Sequence, residues 1–205
     1  MLWERCCTDL KEALEAAGGR AKRIELCQCL EVGGITPPME SVTACIAALH
    51  KDGCKVNVLV RPRGGDFVYS EDEVQEMLSS IRQCREAGAD GIVIGALLAN
   101  GDIDAITMSR LMAEAGGMSV TFHRAFDECR DPHAALEEII NLGCDRLLTS
   151  GQAPSAAEGS LLITELVRQA RGRIIIMPGA GVTPANAGLL ARETGAHELH
   201  GSKLF

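Results

Sequence analysis

The 205-residue chain lacks the features that mark two common classes of protein. It has no surplus of basic side chains, because 28 acidic residues against 20 basic ones give a formal net charge of −8. A general nucleic-acid-binding surface must neutralise phosphates, so this balance argues against nucleic acid as a partner. No apolar run approaches the roughly 18 residues that a membrane span needs. We therefore expect neither a nucleic-acid partner nor a membrane partner.

The sequence also has no pattern typical of secretion, disulfide stapling or domain linkage. Glu4 and Arg5 place charges where a signal peptide would be apolar. The nine cysteines are an odd number, and a chain of this length can bury a core without disulfides. No Gly/Ser-rich or Pro-rich stretch interrupts the chain. These observations predict a single domain over residues 1–205, in the reducing cytoplasm.

Short apolar strands alternate with amphipathic helices along the whole chain. Glycines end several of the helices just before an apolar run begins, and repeated βα units indicate a parallel sheet. Eight strands and seven helices fit a closed (β/α)₈ TIM barrel that lacks its eighth helix, with an open doubly wound sheet as the alternative. The predicted strands are 2–6, 23–27, 55–61, 91–95, 119–123, 146–150, 173–177 and 198–201. The predicted helices are 8–17, 40–50, 71–87, 103–115, 132–142, 156–170 and 184–194.

A Glu-x-Cys pattern occurs on each of the first two predicted strands, at Glu4/Cys6 and Glu25/Cys27. Side chains alternate along a strand, so each Glu shares a face with its Cys. A charged Glu is unfavourable against the helix layer, so both pairs should point into the barrel. Cys6 and Cys27 could then bring two sulfurs to one soft ion such as Cu(I) or Zn, with Cys29 as a third ligand. The alternative is that these cysteines pack as small apolar residues.

Two further strand ends have the composition of an anion site. Arg61 and Arg63 flank a proline and precede two glycines, which suits bidentate binding of a carboxylate or phosphate. The alternative is an internal salt-bridge network with Asp66. Gly179 and Gly181, before the seventh helix, resemble the phosphate cradle that many barrels build after strands 7 and 8.

Acid–base chemistry is suggested by the end of the fifth strand. His123 is followed by Arg124 and Asp127, so a proton-transferring histidine could have its charge partners nearby. Glu25 would be a second proton carrier on the same rim, and His200 is the other histidine at a strand end. The alternative is that His123 is a structural residue with satisfied hydrogen bonds.

Long strings of the sequence resemble the CutC copper homeostasis family. They occur in family order over essentially the whole chain, at 23–27, 31–37, 61–67, 121–127, 148–151 and 177–181. The resemblance implies a cytoplasmic (β/α)₈ barrel linked to copper handling, with Cys6 and Cys27 as the Cu(I) ligands. Lys22 and Arg5 depart from the family pattern, and family members continue past the eighth strand with a last loop and helix.

The sequence after the last strand contains no eighth helix to cover strands 1 and 8. Parallel sheets are normally buried on both faces, so Trp3, Arg5 and Leu199 are expected to form an exposed strip with an apolar part. Such a strip favours self-association, which predicts a homo-oligomer. Without that helix, Arg5 could reach water instead of being buried unpaired.

Three functions remain open at this stage. The first is a copper homeostasis protein that holds Cu(I) through Cys6 and Cys27. The second is an enzyme acting on a small anionic or phosphorylated metabolite. In that enzyme, the anion would be bound by Arg61, Arg63 and the strand 7 glycines, and protons would be moved by Glu25, Asp127 and His123. The third is a barrel without retained activity.

Overall fold

The computed structural model describes residues 1–19 and 21–203. The expectation that no helix follows the eighth strand falls partly on Leu204 and Phe205, which lie outside the described residues. The strands are β1 (Leu2–Cys7), β2 (Arg23–Leu26), β3 (Lys55–Leu59), β4 (Gly91–Ile94), β5 (Ser119–Phe122), β6 (Arg146–Thr149), β7 (Ile175–Pro178) and β8 (Glu198–Gly201). The α-helices of the described part are α1 (Leu10–Gly18), α2 (Met39–Leu49), α3 (Glu71–Ala87), α4 (Ala105–Ala115), α5 (Pro132–Asn141), α6 (Ser160–Ala170) and α7 (Ala187–Thr194).

The eight strands form one parallel sheet that curls into a nearly closed barrel. The hydrogen-bonded order is β7-β6-β5-β4-β3-β2-β1-β8, so the last strand returns to pair with the first. Each strand except this last one is followed by a helix that crosses back over the outside of the sheet. The predicted TIM barrel is confirmed, and the alternative of an open doubly wound sheet is wrong.

Hydrogen bonds outside the sheet and the helices account for two of the bounds that differ from the prediction. β3 ends at Leu59 because the Arg61 N–H donates to the Thr36 hydroxyl at 2.9 Å. α7 begins at Ala187, three residues later than predicted, after a turn in which the Thr183 N–H donates to Asn186 Oδ1 at 2.8 Å. No helix within the described ranges is both long and apolar enough to cross a bilayer.

The barrel has an apolar outer layer and a charged interior. The main core lies between the strands and the helices, whereas a separate, smaller cluster of the described residues lies inside the barrel and contains Cys6, Cys27, Leu59 and Val93. Inside the barrel, Arg23 forms ion pairs with Glu4 and with Glu198, and Arg146 also pairs with Glu198 at 2.9 Å. TIM barrels usually fill this space with branched apolar side chains. Ion pairs therefore occupy space that branched apolar side chains fill in most TIM barrels.

The expected exposed strip on β1 and β8 is wrong for Leu199, which is fully buried. Trp3 is its register partner on β1 and packs, partly buried, against the outer core. Arg5 is largely covered as well, with 11% of its side chain exposed. Its Nη2 lies 3.9 Å from Glu15 Oε2, and its Nε has no hydrogen-bond partner. The outer faces of β1 and β8 are therefore continuous with the main core at these two positions.

Candidate functional site

A cavity of about 510 Å³ opens at the carboxyl ends of the strands, where TIM barrels carry their functional sites. Strand positions and the residues just after them contribute Cys6, Glu25, Leu59, His123, Leu148 and His200 to its lining. The loops that follow the strands contribute Leu30, Val32, Gly33, Arg61, Gly65, Phe67, Arg124, Asp127, Glu128, Gln152 and Ala153. Five of the predicted site residues therefore contribute to a single cavity: Cys6, Glu25, Arg61, His123 and Asp127.

The two predicted metal ligands lie next to each other. The Cys6 and Cys27 sulfurs are 3.4 Å apart, and both side chains are buried. Glu25, the register partner of Cys6, places Oε1 at 3.8 Å from Cys6 Sγ. Ligand atoms of these three residues all lie within 4.8 Å of one another. Among the described residues this group contains Glu25 and not Cys29, which lies beyond β2 in a left-handed conformation at φ 54°.

Electrostatics keep the Cys6 thiol protonated when no metal is present. The hydrogen bond with Cys27, burial and the charge of Glu25 all raise the pKa of Cys6 well above its ordinary value. The thiolate is the form that binds metal, so any metal bound by Cys6 would have to displace this proton.

Glu25 is a carboxyl group that is poised to gain or lose a proton near neutrality. Burial, assisted by the charge of Glu4, raises its pKa to about 7, although His200 acts in the opposite direction. One of its oxygens, Oε2, is buried without a hydrogen-bond partner. Perturbed carboxyl groups in cavities are typical of functional sites.

His200 of β8 lines the cavity and forms an ion pair with Glu4 of β1. His200 Nδ1 lies 2.9 Å from Glu4 Oε1. Burial favours neutral imidazole, but the carboxylates of Glu25 and Glu4 outweigh burial and raise the pKa of His200. Burial also opposes the charge on Glu4, yet His200 and Arg23 lower its pKa to about 2. Atoms of Glu4, Glu25 and His200 lie within 4.8 Å of one another, a second cluster next to the sulfur pair.

His123 is held as a neutral imidazole in the cavity wall. Burial and the charge of Arg61 lower its pKa to about 3. Its Nδ1 accepts the Ala125 N–H at 3.2 Å, so the ring proton belongs on Nε2, which is buried without a partner. This arrangement makes His123 a hydrogen-bond donor to the cavity and does not suit it to the acid–base role that the sequence suggested.

Asp127 lines the cavity, but its carboxylate oxygens are occupied. They accept from the Thr149 hydroxyl at 2.5 Å, the Ser150 hydroxyl at 2.9 Å and the Gln152 N–H at 3.2 Å. The Ser150 N–H and Arg124 Nε also donate to them. Asp127 therefore fixes the loop after β6 and positions Arg124, and this geometry does not favour it as a proton carrier.

Arg61 fastens two loops together beside the cavity. Its Nη1 donates to the carbonyl oxygens of Val32 and Gly34, both at 3.0 Å, and Nη2 donates to that of Gly65 at 2.6 Å. The guanidinium lies over the Phe67 ring, 4.7 Å from its centroid. Arg61 has no carboxylate within ion-pair distance in the described part of the chain, and its Nε has no partner.

Arg63 does not line this cavity. It forms salt bridges within its own part of the chain, as in the alternative to an anion site that the sequence left open. Its Nε lies 2.5 Å from Glu73 Oε1, and its Nη2 lies 3.0 Å from Asp66 Oδ1. The guanidinium is also 5.4 Å from the centroid of the Tyr69 ring. With its donors bound in this way, Arg63 braces the loop before α3.

Gly179 and Gly181 do not contribute to the cavity lining. A Cβ at Gly179 would lie 2.5 Å from Leu148, so the absence of a side chain there is explained by packing between β6 and β7. Gly181 adopts a left-handed φ of 70°, which favours glycine in the turn before α7. Both glycines have structural explanations that need no phosphate.

Sequence analysis missed most of the loop residues at the cavity mouth. Leu30 and Val32 are apolar yet 42% and 46% exposed in the loop after β2, and Gln152 adopts a left-handed φ of 56°. Apolar side chains directly after a predicted strand of a TIM barrel are a signal that could have identified Leu30 and Val32.

Fold and site together define a (β/α)₈-barrel protein with a polar cavity at the carboxyl ends of its strands. The CutC family model matches residues 1–205, and the chain belongs to the CutC family. A CutC family protein of Parabacteroides distasonis is 50% identical over 199 residues, which cover 97% of this chain and 81% of that protein. A Pasteurella multocida relative is 48% identical over 197 residues, covering 96% of this chain and 80% of the relative.

One solved structure supports the same assignment, and a second shares the fold. The Streptococcus agalactiae structure described as a copper homeostasis protein CutC superposes with a TM-score of 0.97 at 33% identity, covering 100% of both chains. An aldolase structure superposes with a TM-score of 0.74 at 15% identity, over 97% of this chain and 89% of the aldolase. The second likeness concerns the fold alone.

Proposed function

We propose that this chain is a copper homeostasis protein that binds Cu(I) inside the barrel through Cys6 and Cys27. The observation that carries the proposal is the pair of buried free thiols 3.4 Å apart, one within β1 and the other directly after β2. Thiolates are the ligands that soft Cu(I) prefers. The copper homeostasis description of the Streptococcus agalactiae relative is in line with this role.

The donor set fits a small thiophilic ion after a modest adjustment. Thiolate–metal bonds of about 2.3 Å place two sulfurs of a trigonal site about 4 Å apart. The 3.4 Å separation must therefore widen slightly, which rotation about the Cys side-chain bonds can supply. Glu25 lies beside Cys6 as an oxygen donor, and Cys6 lines the cavity, so an ion can reach the sulfurs from solvent.

A reducing cytoplasm is the compartment that suits this proposal. All nine cysteines are free thiols, including seven beyond the proposed pair. A reducing environment keeps such thiols available for metal binding.

Anaerobic Cu(I) titration against a competing chelator tests the site. The wild-type protein should bind one Cu(I) per chain. Cys6→Ser and Cys27→Ser should each weaken binding more than about 100-fold, because losing a ligand exceeds the 10–100-fold effect of losing a partner that only orients a ligand.

Cys84→Ser is the matched control, because Cys84 is also a fully buried free thiol but lies on α3. It should bind Cu(I) as the wild type does, with circular dichroism confirming that all three variants fold. Undiminished affinity in both Cys6→Ser and Cys27→Ser would contradict the proposal.

A further inference from the structure

Besides Oε2 of Glu25, two buried polar atoms of the described cavity residues have no partner in the protein. They are Nε2 of His123 and Nε of Arg61, which belong to residues that are each 5% exposed. Buried polar groups are almost always hydrogen-bonded, so each exception calls for an explanation. Because both residues line the same cavity, one ligand bound there could satisfy them together.

The His123 ring is held in one orientation as a donor. Its Nδ1 accepts the Ala125 N–H, which leaves the proton of a neutral ring on Nε2. The ring also packs beside Gly95, where a Cβ would lie only 2.6 Å from ring atoms Cε1 and Nδ1. Burial and Arg61 keep the ring neutral, with its pKa lowered to about 3. The missing partner of His123 is therefore a hydrogen-bond acceptor.

The charge beside His123 is positive and only partly compensated. Arg61 is buried and donates to neutral carbonyl oxygens, with no carboxylate at ion-pair distance in the described ranges. An unpaired buried charge is costly, and an anionic ligand would reduce that cost. Arg124 lines the same cavity, with 46% of its side chain exposed. Its Nε and Nη2 bind Asp127 and Ser150, which orients the guanidinium at the mouth.

We propose that this part of the cavity is a binding site for a small metabolite that carries an oxyanion, either a carboxylate or a phosphate. His123 Nε2–H donates to the anion, and Arg61 and Arg124 supply positive charge. The volume of about 510 Å³ lies within the range of small-molecule sites. Leu59, Leu148 and Phe67 give the body of the ligand an apolar wall. Arg61 and His123 follow β3 and β5, so this site does not require the cysteines of β1 and β2.

Thermal melts of the metal-free protein test this site independently of copper. The probes are inorganic phosphate, glycerol 3-phosphate, pyruvate and malonate, compared with chloride at equal ionic strength. A bound probe at ten times its Kd should raise Tm by about 3–6 °C. A response to the phosphates identifies a phosphate site, and a response to pyruvate or malonate identifies a carboxylate site. Either response supports the proposal.

Arg124→Gln should abolish the rise, because it removes a charge at the mouth while the side chain remains half exposed. Arg130→Gln is the matched control, since Arg130 is also an exposed arginine paired with an aspartate, Asp102, but lies outside this cavity. Binding should also shift the ¹⁵N resonance of His123 Nε2. Cys27→Ser should retain the rise, which separates this site from the copper site. No rise beyond chloride with any probe, or an equal loss in both arginine variants, would overturn the proposal.

Discussion

Glu4→Gln should lower the free energy of unfolding at pH 7 by about 3 kcal/mol, the lower end of the range for breaking a buried ion pair. Glu4 is completely buried and forms an ion pair with Arg23 and a 2.9 Å contact with His200. The glutamine has nearly the same shape but removes the negative charge between these two groups. Arg23 keeps its second partner, Glu198, at 2.5 Å, and for this reason we expect the lower end of the range.

Urea denaturation between pH 2 and pH 7 measures this effect. The folded protein lowers the pKa of Glu4 from its ordinary value of 4.5 to about 2. Its contribution is therefore fully present above pH 4.5 and is lost as the pH falls towards 2. The difference between wild type and variant should shrink over that interval.

Glu15→Gln is the matched control, because Glu15 is 53% exposed and lies 3.9 Å from its partner Arg5. Its effect should stay within about 1 kcal/mol at every pH, as for other surface pairs. Equal effects of the two substitutions would show that the interior charges do not stabilise the barrel.

Gly159→Ala should destabilise the protein by about 3 kcal/mol, the upper end for overpacking, because the new methyl group has no room. Its Cβ would overlap the backbone oxygen of Ser150 and would lie 2.9 Å from the Gly151 Cα. Backbone cannot move aside as a side chain can, so the loop after β6 must shift. That loop holds Asp127 through Ser150 and Gln152, so the cavity mouth should loosen as well.

Differential scanning calorimetry compares this variant with Gly188→Ala. Gly188 lies within α7, and the nearest atom to a Cβ there is Arg192 Nη1 at 3.7 Å. Alanine at that position should stabilise the helix by about 0.5–1 kcal/mol. A Gly159→Ala protein as stable as wild type would show that the two loop segments do not lie in contact.

The alternation of side chains along a strand was enough to predict where the two sulfurs lie. Cys6 and Cys27 were predicted on the inner face of neighbouring strands, and in the structure Cys6 lies in β1 and Cys27 directly after β2, with their sulfurs 3.4 Å apart. The third donor could not be predicted in the same way. Glu25 reaches Cys6 because the register of β1 and β2 pairs these two residues, whereas Cys29 lies beyond the strand, where the backbone turns.

For Arg61 and Arg63 of the predicted anion site, the sequence was not sufficient to predict the arrangement. Sequence composition alone could not decide which of Arg61 and Arg63 faces the cavity, because both occupy a loop whose path depends on distant hydrogen bonds. The Arg61 N–H is held by Thr36, and its side chain donates to carbonyls of two loops, whereas Arg63 turns outward to Glu73. Contacts between segments far apart in sequence determine this arrangement.

Leu199 illustrates the same limit for the fold. In the sequence analysis, burial of a strand was expected only from the helices adjacent to it in sequence. The outer face of β8 was therefore predicted to be exposed. In the structure Leu199 is fully buried in the outer core, and Trp3 of the neighbouring strand packs, partly buried, against that core. Neighbours in the barrel, rather than neighbours in the sequence, determine burial here.

X-ray absorption at the copper edge of the Cu(I)-loaded protein tests the central claim most directly. Two sulfur neighbours at about 2.3 Å are expected in the wild type, and one in Cys27→Ser loaded at high protein concentration. Cys84→Ser should give the wild-type spectrum. A wild-type spectrum without sulfur in the first shell, or an unchanged spectrum in Cys27→Ser, would contradict copper binding between β1 and β2.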